Sequence, residues 1–242
     1  MILEICANSF ESAKAAQDAG ADRIELCTEL SVGGLTPSFG LLEKVLTELT
    51  IPVHVLIRPR SGNFTYTETE LDVMLRDIET CKEFGCDGIV SGALTQEHAI
   101  DTIATKELIA ATATMEFTFH RAFDWCAEPI LAFKQLQHLG ITRLLSSGQQ
   151  TTALKGISLL QKLLNDSDQT IQIMPGGGIT AANCLSFKEA GFKMIHFSAA
   201  KKTQTLISQP KVGMHNPNYF IEGIVSASNI DDIKKIAEKL NN

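Results

Sequence analysis

The sequence predicts an α/β protein, a closed (β/α)8 TIM barrel, as a single domain over residues 1–242. Three observations predict it. Short aliphatic runs alternate with amphipathic stretches along the chain, the pattern of parallel strands separated by helices. One local grammar recurs four times: Gly20-Ala-Asp-Arg-Ile24, Gly85-Cys-Asp-Gly-Ile89, Gly140-Ile-Thr-Arg-Leu144 and Gly191-Phe-Lys-Met-Ile195. Each glycine closes an amphipathic stretch, where a left-handed cap suits a residue without Cβ, and an aliphatic run begins four residues later. Finally, eight such units in 242 residues match the size of one barrel. The alternative, an open doubly wound sheet, would show a break between two halves, and none is visible.

In order, strands are expected at 2–6, 23–27, 53–58, 88–92, 116–121, 143–147, 171–175 and 194–198. Helical patterning falls between them, for example at 9–19, 39–49, 68–84, 127–138 and 180–190. Pro37 and Pro129 lie near helix starts, where a missing amide costs little. Pro52 precedes a strand, which also suits it. A last helix is expected near 229–240, with Asp231 and Asp232 in its first turn and lysines later, matching the helix dipole. The segment 202–227, with Pro210, Gly213, His215 and Pro217, reads as a long loop serving as a lid or an interface.

Composition narrows the function classes. Hydrophobic residues make up 44% and charged residues 20%, as in a soluble globular protein. Net charge is −7 with no Lys/Arg run, which argues against a nucleic-acid partner. The apolar runs are too short to span a bilayer, so no membrane partner is expected. Met1-Ile2-Leu3-Glu4 has no basic region followed by an apolar core, so no signal peptide is expected. Six cysteines without paired spacing read as reduced thiols of a cytoplasmic protein.

Side chains alternate between lumen and helix layer in a barrel. Parity then puts Glu4 with Cys6, Glu25 with Cys27, His54 with Leu56 and Arg58, Thr118 with His120, and His196 with Ser198 on lumen faces. Leu3, Ile5, Ile24, Leu26, Val55 and Ile57 face the helices. The run Phe117–Asp124 ends in His120, Arg121 and Asp124, as a buried strand does when it opens into a polar site. Glu4, Glu25, Arg58, His120 and Asp124 are the candidate catalytic residues, because barrel active sites occupy the carboxyl end. Two buried carboxylates need partners, and Arg58 and His120 are the expected ones. The plainer alternative is a structural charge cluster plugging the barrel. His54 reads as structural, deeper in the lumen.

Met174-Pro-Gly-Gly-Gly-Ile-Thr180 leaves the seventh strand, and Ser198-Ala199-Ala200 leaves the eighth. Such loops bind anions through backbone amides. Gly176, Gly177, Gly178 and Ser198 are therefore candidate anion-binding residues, with Ser147 after the sixth strand as a further donor. A tight turn would explain one glycine but not three.

Several blocks together carry a family resemblance. They are Glu-Ile-Cys-Ala at 4–7, Gly-Ala-Asp-Arg-Ile-Glu-Leu-Cys at 20–27, Gly-Gly-Leu-Thr-Pro-Ser at 33–38, Ile-Arg-Pro-Arg at 57–60, Thr-Phe-His-Arg-Ala-Phe-Asp at 118–124 and Met-Pro-Gly-Gly-Gly-Ile at 174–179. In this order, over about residues 1–200, the chain resembles the CutC family, named for copper homeostasis. The resemblance implies a cytoplasmic (β/α)8 barrel, often a homo-oligomer (dimer or higher), tied to copper tolerance or trafficking, with no settled enzymatic activity. It maps the family's proposed copper ligands onto Cys6 and Cys27. Neighbouring strands lie roughly 5 Å apart, and two thiolates suit soft Cu(I). Alternatively, both are small buried hydrophobes. Two partners therefore stay open: a copper ion, or a small anionic, perhaps phosphorylated, metabolite handled by an enzyme with His120 or Glu25 as acid/base and Arg58 holding a carboxylate or developing oxyanion.

Overall fold

The four glycines expected after helices all have positive φ, at 78° for Gly20, 73° for Gly85, 75° for Gly140 and 91° for Gly191. They punctuate a barrel in a computed structural model that describes residues 1–167, 171–214 and 221–241. Its wall is built from β1 (Ile2–Ala7), β2 (Arg23–Leu26), β3 (Val53–Leu56), β4 (Gly88–Ser91), β5 (Glu116–Phe119), β6 (Arg143–Ser146), β7 (Gln172–Pro175) and β8 (Met194–Phe197). Around it lie α1 (Phe10–Asp18), α2 (Phe39–Glu48), α3 (Glu68–Glu83), α4 (Thr102–Ala111), α5 (Pro129–Leu139), α6 (Ile157–Asp166), α7 (Cys184–Glu189) and α8 (Ile230–Asn241).

All ladders in the wall are parallel, in the order β7-β6-β5-β4-β3-β2-β1-β8. The barrel is nearly closed. At the remaining seam between β7 and β8, Gly176 bridges to His196. A Cβ on Gly176 would fall 2.5 Å from Leu145 Cδ1 and 3.3 Å from His196 Cβ. Its missing side chain is what lets the two strands approach.

Parity sorts the residues as expected. Leu3, Ile5, Ile24, Leu26, Val55 and Ile57 belong to the large cluster between sheet and helices. Each such side chain contributes about 1.5–3 kcal/mol on burial. The lumen holds two small apolar groups instead: Leu145, Met174 and Met194, and separately Cys6, Cys27, Leu56 and Val90.

Six strands stop short of the expected bounds, four by one residue and two by two. The third ends at Leu56 and the fifth at Phe119. His120 becomes the cap of a short 3-10 turn over Arg121–Trp125, its Nδ1 accepting from the Ala122 amide at 3.4 Å. Within 202–227, where a loop is expected, the described residues include an antiparallel hairpin of β9 (Ala200–Gln204) and β10 (Ile224–Ser228). His215 and Pro217 lie outside the described residues. No helix among the described residues is long and apolar enough to cross a membrane.

Candidate functional site

The lumen charges divide by depth. The register aligns Glu4 of β1 with Arg23 on one side and His196 on the other. Arg23 Nε donates to Glu4 Oε2 at 2.5 Å, and His196 Nδ1 donates to Glu4 Oε1 at 2.8 Å. Beside them Arg143 binds Glu116 at 2.5 Å and Thr118 at 3.0 Å, and His54 Nε2 lies 3.3 Å from Glu116. Burial alone would raise the Glu4 carboxyl. The hydrogen bond and charge of His196, with Arg23 and His54, outweigh it and hold the group well below the usual carboxylate range.

The expected pairing of the lumen carboxylates with Arg58 and His120 is therefore corrected. Arg23 and His196 take Glu4, because they stand beside it in register, whereas Arg58 and His120 lie further toward the carboxyl end. Arg58 instead donates from Nη1 to the carbonyls of Val32 at 2.7 Å and Gly34 at 2.9 Å, and from Nη2 to Gly62 at 3.4 Å. It thereby pins the loop after β2. Gly34 in that loop, at φ 89°, closes over Cys27, and a Cβ there would meet Leu56 at 2.6 Å.

One register step along from Glu4, Cys6 stands opposite Glu25. The Cys6 and Cys27 sulfurs are 3.6 Å apart, and the Cys6 thiol reaches Glu25 Oε1 at 3.7 Å. Ligand atoms of Cys6, Glu25 and His196 all lie within 4.8 Å of one another. The hydrogen bond to Cys27 and then burial push the Cys6 thiol up. Burial pushes Glu25 up to about 7, with His196 opposing and Glu4 adding to the rise. For His196 burial acts downward, but the Glu25 charge and the bonds to Cys6 and Glu4 outweigh it and hold the ring well above its ordinary value.

A cavity of about 750 Å³ opens above these groups, lined by Cys6, Glu25, Arg58, His120, Gly177, Gly178, His196 and Ser198 among others. Five candidates are outside the lining: Glu4 lies deeper, Cys27 is buried behind Cys6, and Gly176, Asp124 and Ser147 serve the wall and its loops. Gly176 serves the β7–β8 seam. Asp124 is not in the lining; its carboxylate takes Ser146 Oγ at 2.6 Å, the amides of Ser147 and Gln149 at 3.1 Å and Arg121 Nε at 2.8 Å, so it organises the loop after β6. Ser147 is fully buried and bound to that same Asp124 and to the Gln150 carbonyl. Arg23 and His196 are functional residues to which the sequence alone assigns no role. Both were detectable by parity, two residues before Glu25 and before Ser198.

The chain matches the CutC family model over residues 1–201. A family protein CutC of Klebsiella pneumoniae strain 342 is 46% identical over 200 residues, 83% of this chain and 81% of that protein. The chain belongs to the CutC family. A CutC of Salmonella typhi is also 46% identical, over 82% of this chain and 76% of its own. The crystal structure of a CutC from Streptococcus agalactiae, provisionally described as a copper homeostasis protein, superposes with a TM-score of 0.77 at 36% identity, covering 82% of this chain and 98% of that one. A 2,3-dimethylmalate lyase, at 15% identity and TM-score 0.59, shares the fold alone. The family match ends as β9 begins, so the hairpin and α8 lie beyond it.

Proposed function

We propose that this CutC family member serves copper homeostasis by binding Cu(I) at Cys6 and Cys27. The observation that carries the reading is the pair of buried sulfurs 3.6 Å apart, of which that of Cys6 borders an open cavity while Cys27 lies behind it. Soft thiolates select Cu(I) over hard cations. Glu25 and His196 stand near enough to Cys6 to add a further donor. Glu4, accepting from His196 Nδ1, orients that ring as an outer carboxylate does at metal-binding histidines. All six cysteines are free and buried, which fits a reducing, cytoplasmic setting. Exposed Ile207, Val212, Met214, Ile221 and Val225 around the hairpin support a homo-oligomer.

Titration with Cu(I) against a chromogenic chelator tests this. One ion per chain is expected for the wild type and none for Cys6→Ser/Cys27→Ser. Equal affinity in that double variant would reject the assignment. A second reading is favoured by one observation: about 750 Å³ is far more space than an ion needs. In it, the protein is an enzyme for a small anionic metabolite, with His120 or Glu25 exchanging a proton. A screen of such metabolites for turnover by the metal-free protein decides it.

A further inference from the structure

Two lining residues of the cavity carry buried donors that meet no acceptor. Arg58 Nε and His120 Nε2 are both shielded from water and without a hydrogen-bond partner. Native interiors seldom leave such groups unpaired, and each instance calls for a cause. Their neighbourhoods make the deficit specific. Arg58 has no carboxylate within 4.0 Å among the described residues, and its neighbours include only neutral acceptors: three carbonyls, the Tyr66 hydroxyl and the Phe64 ring, 4.9 Å from Cζ. Buried charge without a counter-charge is costly. His120 uses Nδ1 to accept from Ala122, which puts the proton of the neutral ring on Nε2. Burial and then the charge of Arg58 hold this imidazole down at about 3, so it is a neutral N–H donor across the physiological range.

Both side chains are held in place. The His120 ring meets Phe64 edge-on at 5.0 Å and Phe119 at 6.0 Å. Gly92 backs it, and a Cβ there would lie 2.8 Å from Nδ1. Arg58 Nη1 is committed to two carbonyls and Nη2 holds the Gly62 carbonyl only at 3.4 Å, which leaves the Nε–H and the second Nη2 hydrogen as an edge. That edge is a planar fork matching two carboxylate oxygens. A phosphate would call for more donors than the pair supplies.

We propose that Arg58 and His120 form a binding site for the carboxylate of a small organic acid admitted to the cavity. The acid's charge would balance Arg58, and one oxygen would take the His120 Nε2–H. Phe64, half-buried between the two, would shift slightly to let it reach them. The site is separate from the two thiols, and it deepens the second reading above by naming the ligand class. It rests on that reading only in taking the cavity for a ligand site.

The test uses the metal-free full chain with oxalate and pyruvate as probes and sulfate as control, read by calorimetry and by 15N NMR of the His120 ring. Wild-type protein is expected to bind a carboxylate probe but not sulfate, with the Nε2–H resonance moving on binding. His120→Phe keeps the ring shape and removes the donor. It and Arg58→Lys should each weaken binding about 10-fold or more. Cys6→Ser/Cys27→Ser should bind as the wild type does. Carboxylate binding without any turnover would uphold the site while ending the enzyme reading. The proposal is overturned if neither carboxylate binds, if sulfate binds equally well, or if binding leaves the His120 resonance unmoved. The NMR readout decides the matter should either variant fail to fold.

Discussion

The two ends of this barrel's lumen are built from the same residue types with opposite results. Toward the amino end, Glu4, Arg23, His196, Glu116 and Arg143 neutralise one another through short bonds. Toward the carboxyl end, Glu25 Oε2, Arg58 Nε and His120 Nε2 are buried without hydrogen-bond partners beside a cavity, that Glu25 oxygen keeping only a 3.9 Å ion pair with His196. The contrast is clearest in the two glutamates, one held well below its ordinary pKa and the other raised to about 7. A plug maximises its internal pairing, whereas a site keeps some capacity in reserve for what it binds. The lower half is the plug that the sequence allowed as an alternative. The upper half is a different thing, one layer of strand side chains away.

The comparison breaks most severely at Glu4. Glu4→Gln removes the counter-charge of buried Arg23 and His196, and stability should fall by about 3–5 kcal/mol. Urea unfolding at pH 7 measures it. The sign of the pH dependence follows from the depressed folded pKa. Glu4 stabilises fully above its unfolded value near 4.5 and loses that contribution as pH falls through its lower folded value. The wild type should therefore weaken on acidification below about pH 4.5 by more than Glu4→Gln does.

Gly88→Ala comes next. Its Cβ would lie 2.8 Å from three ring atoms of His54. That ring is wedged between Glu4 and Glu116 and has nowhere to go. A loss of about 2–3 kcal/mol is expected in the same unfolding experiment. A loss below ~0.5 kcal/mol would show that the lower lumen is looser than its geometry indicates.

Glu25→Gln should behave in the opposite sense to Glu4→Gln. Glu25 has a raised folded pKa, so ionising it opposes folding, and the apo wild type should lose stability as pH rises from 4.5 through about 7. With chelator present, Glu25→Gln should be the more stable protein at pH 8, by about 1–2 kcal/mol, and should match the wild type near pH 5. Equal stability at both pH values would mean that the upper carboxylate is as well compensated as the lower one.

The barrel was legible because its signals are local. A glycine cap needs only its own φ, and strand parity needs only a period of two. Both were readable from Gly20, Gly85, Gly140 and Gly191 and from runs such as Leu3 to Cys6. Pairing inside the lumen was not legible, because it depends on register between strands, and register is set by the stagger of the closed barrel. Glu4 could have met any cation of matching parity. Only the alignment of Arg23 and His196 beside it decides the matter. Asp124 shows the same limit at a loop: an acidic residue after a strand looks catalytic until the amides of Ser147 and Gln149 fold back onto it.

Gly92→Ala gives the smallest change in stability and the sharpest separation of the two halves. Like Gly88 it borders β4, and the clash is equally close, with Cβ 2.8 Å from His120 Nδ1 and 2.9 Å from Phe119 Cζ. The surroundings differ. His120 lines the open cavity and can move toward it once half-buried Phe64 shifts, so even with Phe119 fully buried behind it the cost should stay at about 1 kcal/mol, roughly half that of Gly88→Ala. That movement would break the Nδ1 bond to Ala122 and displace the donor that faces Arg58. Gly92→Ala should therefore keep a near-wild-type unfolding midpoint and full Cu(I) binding at Cys6 and Cys27, while losing affinity for a carboxylate probe. If Gly88→Ala and Gly92→Ala instead cost the same stability, His120 is packed as rigidly as His54. The division of the lumen into a closed floor and an adaptable mouth would then be wrong.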